Sequence, residues 1–300
     1  MARRNTPRIS FIGFGEAGQA IASGLRDSGI EQVAAWDILF PESAGERLKA
    51  TGEKFGVRLA ASAADAVAET DMVISAVTAA SSYQAAQSVA PHLKGNPYYL
   101  DINSVSPGRK QETAKLLADR ARYVDVAVVA PIHPARHKTP LLIAGPHAKA
   151  VSPLLQELEM TLSIVPGEVG KAAAIKMIRS VMIKGIEALT LECFLAASRA
   201  GLLDEVTLSL KNNFPSLDWN KIAAYNLERM ASHGERRAAE MEESAVTLRE
   251  LGLDPLMVKA TVARQREMGA IGKQETVRAT LNDGRAAILD AISAAAKDRH

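Results

Sequence analysis

At 300 residues the chain is longer than one compact core usually holds, which calls for a large α/β domain and a second unit. With 36 Lys+Arg against 34 Asp+Glu its charge is near balance, so electrostatics gives no reason to expect nucleic acid or an anionic membrane as partner. The single cysteine, Cys193, excludes an intrachain disulfide and suits a reducing cytoplasm. Arg3, Arg4 and Arg8 precede an apolar run from Ile9 to Phe14, but Glu16 ends that run too early for a signal peptide. No stretch is apolar for long enough to span a membrane, and no repeat, low-complexity tract or metal site is expected.

In chain order, Arg8 to Phe14 reads as a short apolar strand, and Gly13-Phe14-Gly15-Glu16-Ala17-Gly18 follows it into a helical run from Gln19 to Ser28. Each glycine has a physical task. Gly13 makes the tight turn, Gly15 lets backbone approach a pyrophosphate, and Gly18 lets the helix pack on the strand, while the helix N-terminus holds the phosphate charge. Val33 to Trp36 reads as the second strand, closed by Asp37, 19 residues after Gly18, near the spacing of an acid that binds a ribose 2′-hydroxyl. Such an acid repels a 2′-phosphate, and no arginine directly follows it, since Arg47 lies on the next helix; NAD is therefore favoured over NADP. The alternative for Asp37 is a turn or cap carboxylate before Pro41.

The alternation continues through a strand at Val57 to Ala60, a helix over Ser62 to Glu69, a strand at Met72 to Val77, a helix over Ser81 to His92 and a strand at Tyr98 to Ile102. Strands and helices alternating at this pitch predict a parallel, doubly wound sheet of Rossmann type. Its ligands sit at the carboxyl ends of strands, which places Val77, Thr78 and the segment Asp101 to Pro107, with Asn103 and Ser104, on the cofactor edge. Ser104 is read as a substrate donor, and Ser106, followed by Pro107, as a helix cap. Further strands are expected at Tyr123 to Val129, Leu141 to Ala144 and Leu162 to Val165, with a helix over Ala148 to Met160.

From Gly170 to Ala200 one long helix is expected, roughly 45 Å at about 1.5 Å per residue. Its apolar residues, among them Ile175, Ile178, Met182, Ile183, Ile186 and Leu189, fall on almost every side, so most of it should be buried. Lys176, Arg179, Ser180, Lys184 and Glu187 then form a polar stripe expected to line a cleft; the bland alternative is a solvated face. Beyond Leu202 the chain reads as all-helical, with starts at Asp218-Trp219 and Asp254-Pro255 and a stop at Gly252. The expected division is residues 1–169 for dinucleotide binding and 170–300 for substrate and dimer contacts.

With these segments placed, the chain resembles the β-hydroxyacid dehydrogenase superfamily, which includes 6-phosphogluconate and 3-hydroxyisobutyrate dehydrogenases. Phe11 to Gly18 is similar to that family's dinucleotide motif, Asp101 to Pro107 to its strand-end serine motif, and Gly170-Lys171-Ala172-Ala173-Ala174-Ile175-Lys176 to the segment with its catalytic lysine. The resemblance implies that Lys176 is the general acid/base: kept from water beside a positive nicotinamide, a lysine has a lowered pKa and can take a hydroxyl proton.

Two departures accompany it. Where the family has an asparagine four residues after the lysine, this chain has Ser180, preceded by Arg179, and the resemblance assigns Ser180 to catalysis and Arg179 to substrate. The family's Asp-x-x-Val-Ser-Gly-Gly loop reads Asp125-Val126-Ala127-Val128-Val129-Ala130-Pro131, so most donors for a substrate carboxylate are gone. His133, with Arg136 and His137, is the candidate replacement, against the simpler reading of an exposed loop histidine. Arg236, in the cluster His233 to Arg237, lies where the family places a substrate-binding lysine; its alternative is a solvated helix with Glu240 paired to Arg236 or Arg237. The resemblance also implies a homodimer through the helical domain. The reading is an NAD(P)-dependent oxidoreductase acting on a small hydroxy acid or related alcohol. Its rivals are an imine or enamine reductase on the same scaffold and a dinucleotide-binding regulator without turnover.

Overall fold

The structure, a computed structural model, describes residues 6–297; Arg3 and Arg4 of the basic start lie outside the described residues. The chain divides into two compact units, Met1–Lys176 and Met177–His300.

The first unit is built on β1 (Ile9–Ile12), α1 (Glu16–Asp27), β2 (Val33–Trp36), α2 (Glu46–Lys54), β3 (Arg58–Leu59), α3 (Ala63–Val67), β4 (Met72–Ser75), α4 (Ser82–Val89), β5 (Tyr98–Asp101), α5 (Pro107–Leu117), β6 (Arg122–Val128), β7 (Leu141–Ala144), α6 (Ala148–Glu157) and β8 (Leu162–Ile164). They form one sheet of order β3-β2-β1-β4-β5-β6-β7-β8, in which the chain leaves β1 in opposite directions to reach β2 and β4. That reversal is the topological switch point at which such sheets bind ligands. Successive strand residues point to opposite faces, and both faces are covered. Ile9, Phe11, Met72, Ile74, Tyr98 and Leu100 enter one core, while Ile12, Val73, Tyr99 and Tyr123 enter the other.

The sheet departs from the expected all-parallel order at one place, where β7 runs antiparallel to β6. No crossover helix lies between them: the connection holds only a short 3-10 turn at Arg136–Lys138, and a parallel return needs a longer crossover. Element ends also draw in. The strand expected over Val57 to Ala60 keeps two residues, and the helix expected to reach Met160 stops at Glu157, after which Glu159 turns at a φ of 58°.

The helix α7 (Lys171–Arg199) has 29 residues, and the division between the units falls inside it, after Lys176. In the second unit it is followed by α8 (Leu203–Asn213), α9 (Trp219–Glu250), α10 (Leu256–Ile271), α11 (Glu275–Arg278) and α12 (Arg285–Lys297). Asp218 caps α9 by accepting from the Lys221 amide at 3.3 Å. Leu191, Phe194, Leu227, Met230, Met268, Ile288 and Ile292 pack the core of this unit.

The expected burial of the apolar residues of the long helix is overturned here, whereas the polar stripe is buried at Ser180, Lys184 and Glu187 and exposed at Arg179. Ile178, Met182, Ile183, Ile186 and Leu189 are 39–65% exposed. The polar stripe of α7 faces its neighbours because they carry matching charge: Lys184 Nζ lies 2.9 Å from Glu240 Oε2 on α9, and Glu187 is paired with Arg237 of α9 and accepts from Gln265 Nε2 of α10 at 2.9 Å. Burying such groups costs little only when each finds a partner. Arg237 hydrogen-bonds Glu187, with the Glu240 expected from sequence spacing adding a favourable charge.

Candidate active site at the carboxyl edge of the sheet

The turn from β1 into α1 is shaped by its glycines. Gly13 adopts φ 93°, and a Cβ there would lie 2.4 Å from the Ala76 carbonyl oxygen, so any other residue is excluded by both backbone and space. A Cβ on Gly18 would lie 2.5 Å from the Gly13 oxygen, whereas one on Gly15 would meet nothing within 4 Å. Gly15 thus stands at the α1 N-terminus with open space in front of it, where a phosphate has room and free helix dipole. Phe14 turns its ring into the core, and its amide donates to Asp37 Oδ2 at 2.7 Å. Asp37 Oδ1 accepts from the Leu39 amide at 3.0 Å, which fixes the carboxylate beside the glycine turn. Glu16 is exposed in the first turn of α1, and Ala17 is half-buried against the core.

The next two strand ends are tied together. Asn103 is buried; its Oδ1 accepts from the Val77 amide at 2.7 Å and its Nδ2 donates to Ser75 Oγ at 2.9 Å. Its side chain is used to join the ends of β4 and β5. Thr78 is exposed and donates to Ser81 Oγ at 3.1 Å. Ser106 accepts from the Arg109 amide at 3.3 Å as the cap of α5, with Pro107 in the first turn. Ser104, half-buried between these anchors, accepts a 2.6 Å hydrogen bond from Lys176 Nζ. Two residues 72 positions apart are thus joined at the edge where a doubly wound sheet places its chemistry.

Beneath that pair lies a set of charges that sequence reasoning missed. Ser75, Asp101 and Asp125 are in register across β4, β5 and β6, forming one buried polar row. Lys110 of α5, with no exposed surface, places Nζ 3.1 Å from Asp101 Oδ1 and 3.9 Å from Asp125 Oδ1, and donates to the Asp101 and Val126 carbonyls at 2.5 and 3.3 Å. Asp101 Oδ2 accepts from Tyr123 Oη at 2.7 Å, and Oδ1 from the Asn103 amide at 3.0 Å. Asp125 Oδ2 accepts from the Gly170, Ala172 and Ala173 amides at 2.9, 3.0 and 3.2 Å, capping α7 from a strand far away in sequence. Burial pushes the Asp125 carboxyl above its ordinary range, against the pull of Lys110 and those amides. The signal for this set was an acid inside an apolar strand, Tyr123-Val124-Asp125-Val126, which requires a buried partner.

The other expected residues lie elsewhere. His133 is exposed in the connection between β6 and β7. Arg136 there pairs with Asp27, and buried His137 sits 3.2 Å from Ser28 Oγ, at the C-terminal end of α1, about 18 Å along that helix from the glycine turn. Neither supplies the donors lost from the Ser-Gly-Gly loop. In the second unit Ser180 is buried, and its Oγ accepts from Lys184 Nζ at 3.2 Å; burial lowers the Lys184 pKa while Glu240 opposes the shift. Arg179 and Arg236 are exposed on α7 and α9.

A doubly wound sheet with a glycine turn at its switch point, an acid ending the second strand and an all-helical second unit defines an NAD(P)-binding protein of dehydrogenase type. Residues 8–182 match the NAD binding domain of 6-phosphogluconate dehydrogenase, and residues 197–268 match a domain of unknown function, DUF1932. The chain belongs to that NAD-binding family, and with it to the superfamily of 6-phosphogluconate and 3-hydroxyisobutyrate dehydrogenases. A conserved hypothetical protein from Sinorhizobium meliloti 1021 is 37% identical, with 97% of each chain covered and a TM-score of 0.77. A conserved protein of unknown function, described as structurally similar to 3-hydroxyacid dehydrogenases, is 30% identical over 88% of this chain and 97% of its own, with a TM-score of 0.70. Two more distant structures share the fold. One is Mycobacterium tuberculosis 3-hydroxyisobutyrate dehydrogenase with L-serine, at 15% identity, TM-score 0.70 and coverage of 96% and 99%. The other is an imine reductase variant from Myxococcus stipitatus with NAD+, at 21%, 0.59 and the same coverage. The family is named for a dehydrogenase, and the two more distant neighbours are a dehydrogenase and a reductase.

Proposed function

We propose that the protein is an oxidoreductase that moves a hydride between a nicotinamide and a small hydroxy acid or related alcohol, with Lys176 as general acid/base. The observation that carries this reading is the 2.6 Å hydrogen bond from Lys176 Nζ to Ser104 Oγ at the cofactor edge. The open space before Gly15 and the fixed Asp37 carboxylate fit a dinucleotide: Gly13 to Gly18 would cradle its pyrophosphate, Asp37 its ribose, and Val77, Thr78 and the Asn103 backbone the edge beyond. When bound, the nicotinamide supplies the hydride acceptor or donor. Lys176 Nζ takes the substrate hydroxyl proton in oxidation and returns it in reduction, and Ser104 Oγ orients that hydroxyl. Ser180, spent on Lys184, is a weak replacement for the family's asparagine. Arg179 and Arg236 are the side chains proposed for an acid group of the substrate.

NAD is the proposed cofactor, because Ile38 and Leu39 rather than a cation follow Asp37, which leaves a 2′-phosphate facing an unopposed carboxylate. Titrating NAD and NADP by calorimetry tests this, and tighter NADP binding contradicts it. A panel of hydroxy acids and amino alcohols, followed by reduced-nicotinamide absorbance, tests the reaction. Reduction of cyclic imines with no hydroxy-acid turnover would favour the imine reductase reading. The exposed row Ile178, Met182, Ile186 and Leu189 recurs at helical spacing and suits a second copy of this chain. Sedimentation velocity should show a dimer that Met182→Glu weakens.

A further inference from the structure

Lys110 stands outside the proposed chemistry, yet it holds both anchors of the pair that performs it. On one side Asp101, bonded to Lys110 through both its carboxylate and its carbonyl, accepts from the Asn103 amide and so fixes the turn that presents Ser104. On the other, Asp125 accepts from the Gly170, Ala172 and Ala173 amides and so fixes the first turn of the helix that presents Lys176. The two ends are already in close contact: Gly170, at φ 101°, leaves only 3.1 Å between an added Cβ and Pro107 Cβ, and Gln111 Nε2 reaches the Val169 carbonyl at 3.2 Å.

Without a cation, two carboxylates on adjacent strands in full burial repel, and one of them must protonate or move. Protonation of Asp125 weakens its three amide bonds. Movement of Asp101 displaces Ser104. Asp125 Oδ1 has no hydrogen-bond partner, so the 3.9 Å approach of Lys110 is a charge interaction that favours the carboxylate form against the burial that opposes it.

We propose that Lys110 is a positioning residue that registers Ser104 against Lys176 by holding Asp101 and Asp125 together as charged anchors. The proposal rests on the catalytic reading of Lys176 given above for its kinetic consequence, and on geometry alone for its structural one. Lys110 never meets substrate: it acts through two carboxylates, on two segments.

The experiment combines amide hydrogen exchange with kinetics on Lys110→Met, Lys110→Arg and the double variant Lys110→Met/Asp101→Asn. The double variant keeps the net charge of the buried set, and it serves in place of Lys110→Met if the single variant fails to fold. Exchange of peptides spanning residues 170–176 should quicken about tenfold or more in the variant lacking the cation, while peptides over 9–27 keep the wild-type rate. With a substrate in hand, kcat should fall about 10²-fold at nearly unchanged NAD affinity, the cost of misplacing a proton-transfer group by about 1 Å. Lys110→Arg should recover part of both. A folded variant that lacks the cation yet keeps wild-type exchange over 170–176 overturns the proposal. Quickened exchange beside an unchanged turnover that also survives Lys176→Ala leaves the positioning role standing and overturns the catalytic reading instead.

Discussion

Lys110 and Lys184 are both taken out of water, and the two units answer the two charges differently. Lys110 meets two carboxylates and two backbone carbonyls at a row where strands end. Lys184 meets one partly exposed carboxylate, Glu240, and the Ser180 hydroxyl, with Arg236 and Arg237 adding repulsion. The first arrangement ties the consecutive elements β5, α5 and β6 to the start of α7, which is distant in sequence. The second joins helices that neighbouring apolar residues already hold, since Met241, Ala245 and Val258 pack beside Val181. A buried charge is thus more informative about function when it ties strand ends at a ligand-binding edge to a distant helix start, and less so when it lies along a packed helix seam.

The comparison breaks most readily on stability. Lys110→Met leaves two buried acids without their cation and should cost about 3–5 kcal/mol, whereas Lys184→Met, which leaves Glu240 with access to water, should cost on the order of 1 kcal/mol. Urea denaturation of both variants checks this, and equal losses would erase the distinction. A smaller effect, of opposite sign in the two units, is expected with pH. Asp125 has its folded pKa raised above 3.8, so the native state holds a proton the unfolded state has lost, and its contribution declines as pH rises through the folded pKa. Lys184 has its folded pKa lowered below 10.5, so the unfolded state binds the extra proton and stability rises with pH across that window. Denaturation midpoints of wild type against Asp125→Asn in acid, and against Lys184→Met in alkali, should show these opposing slopes.

The smallest effect belongs to the exposed Arg8–Asp71 pair, whose carboxyl is held low chiefly by its hydrogen bond from Arg8. Its contribution is present above pH 3.8 and lost as pH falls through the lowered pKa. Asp71→Asn should shift the acid midpoint slightly at low salt and not at all at high salt.

Most of the first unit was legible because local rules and the fold agree there. Apolar strands, glycine spacing and the acid after β2 each have a short-range cause, and β1, β2, β4, β5 and the start of α1 fall where the pattern predicts. The antiparallel turn of β7 against β6 was missed although no helix is read between them; the connection instead folds back on α1 through Arg136 and His137, contacts that no local pattern announces. The exposed apolar face of α7 was misjudged because periodicity gives the stripes, while partners such as Glu240, Arg237 and Gln265 decide how each is met. Within the candidate site, Ser104 and Lys176 were found by motif, and their contact rests on Asp101, Lys110 and Asp125, which no short motif joins.

The central claim is that Lys176 carries the substrate proton, and the pH dependence of kcat for Lys176→Ala beside wild type tests it most directly. The claim predicts a folded variant that binds NAD as tightly as wild type, turns over about 10² to 10⁴ times more slowly, and lacks the limb of the pH profile assigned to the lysine. A folded variant with wild-type turnover and both limbs intact would contradict it.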